Sequence, residues 1–172
     1  LRQIMLELKN EKKTKMIGAS LYSTDEIYKT MKFIKLDVIQ IPLNIFNTSF
    51  VSLKWKKYFK KNNIKIQIRS IFLQGLLLQK ENSLNNLPLN KYLRLKLIKY
   101  NSWLKSKNID KIFFNICFLK KHFKFIDFLI IGSNNYSQFL QILKYLRSKK
   151  NKKIIFKSFS TQNDKIIDPR RW

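Results

Sequence analysis

Short apolar runs rich in β-branched residues alternate with amphipathic helical patterns along this chain, and that alternation restricts its fold most. MIGAS (16–20), DVIQIPL (37–43), IKIQIRS (64–70) and FIDFLIIGSN (125–134) each read as a strand. A helical period follows each of them. Strand then helix, four times over, is the pattern of a parallel sheet with crossover helices. Buried parallel strands read as nearly continuous apolar runs, as VIQI and FLII do. Either a doubly wound sheet or a (β/α) barrel satisfies the pattern.

The helices carry their own signals. The chain opens in a helical pattern with Ile4 and Leu8 on one face. Ser23 and Glu26 have capping-box spacing ahead of a short helix over 27–33. In SFVSLKWKKYFKKNN, Val51, Trp55, Tyr58 and Phe59 share one face, with Lys54, Lys56, Lys57, Lys60 and Lys61 elsewhere. That predicts an amphipathic helix from about Ser49 to Lys61. A polar stretch at 80–90 has loop chemistry, and helical patterns follow over 91–107 and 110–121. Phe139, Leu143 and Leu146 mark a last helix over 137–149, and from Asn151 onward the chain reads as basic and irregular. The division expected is a body of residues 1–150 and a basic tail of 151–172.

At 172 residues and 45% hydrophobic content, the chain is sized for one core. Cys117 is the single cysteine, which excludes an internal disulfide and suits a packed core thiol. No apolar run reaches the roughly 18 residues of a membrane helix, so no membrane partner is expected and a cytoplasmic location is the default. The net charge of +26 admits two explanations. One is a basic binding protein for RNA or another polyanion, carried by KWKKYFKK and RSKKNKK. The other is a solvated surface biased toward Lys and Asn, with Ile and Phe enriched in the core and Ala19 the only alanine. The lysines sit where a solvated helix face puts them and no nucleic-acid motif accompanies them, so no specific nucleic acid is expected.

In parallel α/β folds, ligands bind at the carboxyl ends of the strands. Gly18-Ala19-Ser20 stands at the first, Gln40 at the second, and Arg69-Ser70 with Phe72, Gln74 and Gly75 at the third. Gly132-Ser133 follows the fourth. All three glycines are expected just past strand ends, where backbone turns with positive φ or approaches a ligand closely. The polar groups there are hydroxyls, amides and one guanidinium, suited to binding an amide and a phosphate. No nucleophile elbow, Walker loop, metal spacing or G-x-G-x-x-G is present. His122, the only histidine, reads as a surface or capping residue.

IGASLYSTDEI, DVIQIPLNIFN, IRSIFLQGLLL and FLIIGSNNYSQF, in that order, resemble the second half of an aldo/keto reductase, and DPRRW is similar to endings in the family. The resemblance implies an α/β fold, the C-terminal half of a (β/α)8 TIM barrel. It implies NADPH or NADH as cofactor and a small-molecule carbonyl as substrate. A full barrel takes about 250 residues, so the other half, with the catalytic groups, is expected before Leu1. No catalytic or metal residue is assigned here, and the chain alone is expected to be inactive. By the resemblance, Ser20 and Gln40 bind the nicotinamide carboxamide, and Leu21 replaces the family's usual Asn. Arg69 takes the place of a Tyr that stacks on the nicotinamide. Ser70, Phe72, Gln74 and Gly75 match the loop around the pyrophosphate, and Gly132 and Ser133 the loop at the adenosine phosphate. Gln138 stands where NADPH-preferring members place an Arg, and Gln141 where an acidic residue meets the adenine.

Overall fold

A computed structural model describes residues 1–148 and 159–172 of the chain. The part of RSKKNKK beyond Ser148 therefore lies outside the described residues. Four strands form one sheet in the order β1 (Gly18–Ser20), β2 (Val38–Pro42), β3 (Lys65–Arg69) and β4 (Phe128–Leu129). Every neighbouring pair is parallel. The crossovers run through α2 (Thr24–Phe33), α3 (Leu53–Lys61), and then both α4 (Lys91–Ser106) and α5 (Lys111–Lys120). A doubly wound sheet reverses its strand order at a switch point. No reversal occurs among these strands, so the arrangement is that of a barrel segment.

Alternation within the strands sets the two faces of the sheet. Ile39, Ile41, Ile66 and Ile68 are buried, while Gln40 and Gln67 between them point to the opposite face. Those two amides are register partners on adjacent strands. Two aspartates repeat one device at the amino ends of the strands. The Asp37 carboxylate accepts from Ile17 N at 2.9 Å and from Lys9 Nζ at 2.6 Å, which ties α1 (Arg2–Asn10) to the sheet. The Asp127 carboxylate accepts from Ile66 N at 2.8 Å and from Lys65 Nζ at 3.2 Å.

The capping box at Ser23 and Glu26 forms as its spacing predicts. The following helix α3 starts at Leu53, later than Ser49, because the Ser52 side chain accepts from Trp55 N and fixes the first turn. Its buried residues are Trp55 and Phe59. The polar stretch at 80–90 contains a short 3-10 helix, Glu81–Asn86, with Leu84 buried. Cys117 is a buried free thiol in α5, and burial pushes its pKa up.

Three expectations are corrected. The fourth strand is paired only over Phe128–Leu129, because a 3-10 helix at Phe123–Phe125 occupies its expected start. Backbone bonds from Asp127 N to Ile66 O and Ile130 N to Ile68 O flank that pair. Gly18 opens β1 and does not follow it, and a Cβ there would meet Val38 O at 2.4 Å. It is a glycine of close strand approach, not of a turn. Finally, the closing residues are not irregular throughout. Phe159, Ile166 and Ile167 are buried, and α7 (Asp164–Ile167) forms with an Asn163 cap. Phe159 packs 5.6 Å from Tyr100 and 6.4 Å from Phe46, centroid to centroid, so this segment joins the main core.

Candidate functional site

A cleft of about 950 Å³ opens at the carboxyl ends of the strands. Ser20 and Gln40 line it and belong to a row of polar side chains on the sheet face opposite the buried isoleucines. Ser20 Oγ donates to Gln40 Oε1 at 3.0 Å, and Gln40 Nε2 donates to Gln67 Oε1 at 2.9 Å. Strand register produces this row, since Ser20, Gln40 and Gln67 pair in sequence across β1, β2 and β3.

Arg69, at the end of β3, closes the row. Its Nε donates to Ser20 Oγ at 3.1 Å and its Nη1 to Ser70 Oγ at 3.3 Å. Its guanidinium carbon lies 4.0 Å from the Tyr22 ring centroid. Nη2 is buried and has no hydrogen-bond partner. A buried guanidinium nitrogen left unpaired is costly and marks a place where an acceptor would fit.

The loop after β3 is bent by unusual backbone. Ser70, Leu73 and Gln74 have φ of 57°, 48° and 54°, and Gly75 has φ 85°. Left-handed conformation at non-glycine residues costs about 1 kcal/mol or more each, and such strain gathers at functional sites. Gly75 thus meets the expectation of a positive-φ turn, whereas Gly132 has open space around it and no positive φ. On the far wall stand Gly132, Ser133, Asn134 and Gln138. Gln138 sits in the first turn of α6 (Tyr136–Arg147), and its Oε1 accepts from Asn134 N at 2.7 Å.

Ser20, Gln40, Arg69, Ser70, Phe72, Gln74, Gly75, Gly132, Ser133 and Gln138 all line this one cleft. Gln141 does not. One turn further along α6, its Nε2 faces Tyr145 OH at 3.5 Å. Leu21 is turned into the core, and only its N–H remains in use, donating to Gln40 O.

Sequence reasoning missed four residues. Gln67 shares the Gln40 face, and the alternation in IKIQIRS carries that signal. Lys80 and Ser83 reach the cleft rim from the polar stretch, with no sequence pattern to announce them. Tyr22 lines the cleft and holds Arg69. His122 occupies the N-cap position of the Phe123–Phe125 3-10 helix, without a capping bond from its side chain, and is half-buried. It packs edge-on against Phe118 at 5.1 Å, with Nδ1 buried and unpartnered. Burial, then Lys56 and Lys121, hold its pKa below the ordinary imidazole value. Among the described residues no group of His, Cys, Asp or Glu converges as a metal site, and no helix is long and apolar enough to cross a membrane.

A run of parallel βα units with a polar cleft at the strand carboxyl ends defines half of a TIM-barrel-type α/β protein. A solved aldo-keto reductase from Bacillus halodurans in its holo form is similar, with a TM-score of 0.63 and 15% identity. The match covers 86% of this chain and 50% of that one, so the chain spans about half of that structure's length. The family model of the aldo/keto reductases matches residues 3–156, and the chain belongs to that family. No curated protein matches it in sequence.

Proposed function

We propose that this chain carries the cofactor-binding half of an NAD(P)H-dependent carbonyl reductase. The observation that carries the reading is the convergence of Ser20, Gln40, Arg69 and the strained 70–75 loop on one cleft. At about 950 Å³ the cleft is in the size range of cofactor sites. The unpartnered Arg69 Nη2 suits an anionic ligand better than a neutral one.

Bound there, the dinucleotide would supply the hydride that reduces a carbonyl of a small-molecule substrate. The residues of this chain bind and orient. Ser20 and Gln40 present a hydroxyl and an amide to a carboxamide, and Arg69 offers a flat guanidinium for stacking. The Gln74-Gly75 turn folds backbone toward a pyrophosphate, and Gly132-Ser133 toward the adenosine phosphate. Gln138 is an amide already engaged by Asn134 N, which supports little discrimination between NADPH and NADH. Acid–base groups belong to a complementary half-barrel that would also cover the open edges β1 and β4. The coverage of half the Bacillus halodurans structure supports that division. The high positive charge is a solvated lysine surface without a specific nucleic-acid partner.

Titration of the chain with NADPH and NADH, read by nicotinamide fluorescence, tests the reading. Weak binding that Gln40→Ala or Arg69→Ala reduces further would support it. Absence of binding, or binding indifferent to those substitutions, would refute it.

A further inference from the structure

We infer that Arg170, in the closing DPRRW segment, is a positioning residue that sets the plane of Arg69 in the cleft by holding Tyr22. The inference deepens the cofactor reading and its functional consequence rests on it. Tyr22 is touched by two guanidinium groups. Arg69 lies 4.0 Å and Arg170 4.1 Å from its ring centroid.

The two arginines are held very differently. Arg170 has carboxylates on two sides. Its Nε donates to Asp168 Oδ1 at 2.9 Å, while its Nη2 reaches Asp168 Oδ2 at 2.7 Å and Glu26 Oε1 at 2.9 Å. Glu26 also accepts from the backbone N–H groups of Tyr22 and Ser23 through Oε2. One carboxylate therefore fixes both the Tyr22 backbone and the group resting on the Tyr22 ring. Among the described residues Arg69 has no carboxylate as a hydrogen-bond partner, only two seryl hydroxyls beside the ring. Its orientation depends on weak neutral contacts, and the ring supplies the broadest of them. A cation–π contact is enough to choose among rotamers of a long side chain. Arg170, anchored through the buried Asp168, is the rigid end of that relay.

A Lys cannot replace Arg170, because it lacks the fork that meets Asp168 and Glu26 together and the flat surface that lies on the ring. A tail that merely stabilised the fold would leave Arg69 unaffected once the variant had folded.

The experiment is the arginine Nε–Hε spectrum of the 172-residue chain, with the Arg69 signal assigned by its loss in Arg69→Lys. In the parent chain that signal is expected to be shifted by the Tyr22 ring and protected from water exchange by Ser20. Arg170→Lys and Tyr22→Leu are expected to move it toward the free-arginine position, while Tyr22→Phe keeps it. In parallel, Arg170→Lys should weaken NAD(P)H binding roughly tenfold, the size of one charge-assisted hydrogen bond. An Arg69 signal unchanged in Arg170→Lys overturns the inference, as does a Tyr22→Phe variant that behaves like Tyr22→Leu. Should Arg170→Lys fail to fold, the two Tyr22 variants decide the question. A parent chain that binds neither dinucleotide, yet whose Arg69 signal responds to Arg170→Lys, keeps the positioning role and removes the cofactor reading.

Discussion

Asp37 and Lys9, 28 residues apart, meet at 2.6 Å, and the same carboxylate receives the backbone N–H of Ile17. Burial alone would raise the Asp37 pKa, but Lys9 and the Ile17 N–H outweigh it and hold the carboxyl below its ordinary value. The backbone bond matters more than the ion pair, because both charged side chains are partly exposed. Asp37→Ala should therefore cost about 1–3 kcal/mol by leaving the Ile17 N–H unsatisfied. Asp37→Asn, which keeps an acceptor, should cost clearly less. Urea denaturation of the two variants checks the order, and equal losses would assign the effect to charge.

The three glycines should respond differently to alanine. At Gly18 a Cβ would stand 2.4 Å from Val38 O and 2.5 Å from Val38 Cγ1, so β1 and β2 must separate or shift. Overpacking of this kind costs about 1–3 kcal/mol. Gly75→Ala meets no atom but retains φ 85°, a penalty of about 1–2 kcal/mol. Gly132→Ala should change stability little, having neither obstacle. Thermal unfolding of the three variants tests the ranking.

Much of this was legible in the residues. Alternation in IKIQIRS was legible and matches the burial of Ile66 and Ile68, whereas VIQI read as a continuous apolar run although Gln40 sits on the face opposite Ile39 and Ile41. The Ser23 cap and the Trp55–Phe59 stripe marked two helices correctly. Gly18 was misread because a local pattern cannot distinguish a glycine that turns from one that admits a neighbouring strand. The distinction depends on Val38, twenty residues away. The closing segment was misread for a related reason. Its anchor residues Phe159, Ile166 and Ile167 have no period within so short a stretch, and the partners of Phe159, Phe46 and Tyr100, are remote in sequence. Strand-end positions of the polar residues were readable; the link from Arg170 to Tyr22 was not.

The Asp168–Arg170 tie has an acid limit with a defined sign. The hydrogen bond from Arg170 is the largest influence on Asp168 and lowers its pKa from an ordinary 3.8. For Glu26, burial pushes upward, but the bonds from Tyr22 N and Arg170 prevail and lower it from 4.5. Both folded values are depressed, so the stability they contribute is complete above those ordinary values. It is lost as pH falls through the folded values beneath them. The gap in unfolding midpoint between the parent chain and Asp168→Asn should be constant from neutral pH to about 4.5 and narrow below that. A gap that is unchanged well below pH 3.8 would show that the carboxylate charge contributes nothing.

His122 offers a titration without overlap, being the only histidine. Burial opposes its charged form, and Lys56 and Lys121 add to that opposition; Lys124 and the Lys65-paired Asp127 line the same recess. Its folded pKa therefore lies below the ordinary 6.5. A base depressed in this way favours folding above its unfolded value, and the benefit is lost as pH falls through the folded value. The imidazole proton resonance should show a midpoint below 6.5, and His122→Phe should be less sensitive than the parent to acidification from pH 7 to 5. A midpoint at or above 6.5 would refute the account.

The charge of +26 makes its own prediction, because the lysines of α3 are spread over its solvent side rather than aligned on one groove. Lys54, Lys57, Lys60 and Lys61 are exposed, while the ring-bearing face of Trp55 and Phe59 is buried and cannot stack on bases. Single-stranded recognition couples a basic track to accessible aromatics, worth about 1–3 kcal/mol per stacked base. With Trp55 and Phe59 buried, any binding of RNA through this helix is expected to be dominated by counterion release. The chain should therefore bind unrelated RNAs with similar affinity and lose that affinity steeply with salt, by roughly 10³-fold or more between 50 and 200 mM if six or more phosphates are contacted. Filter binding with several RNAs across a salt series measures both properties. A persistent preference for one sequence or shape at high salt would reveal a site that the exposed lysines do not explain.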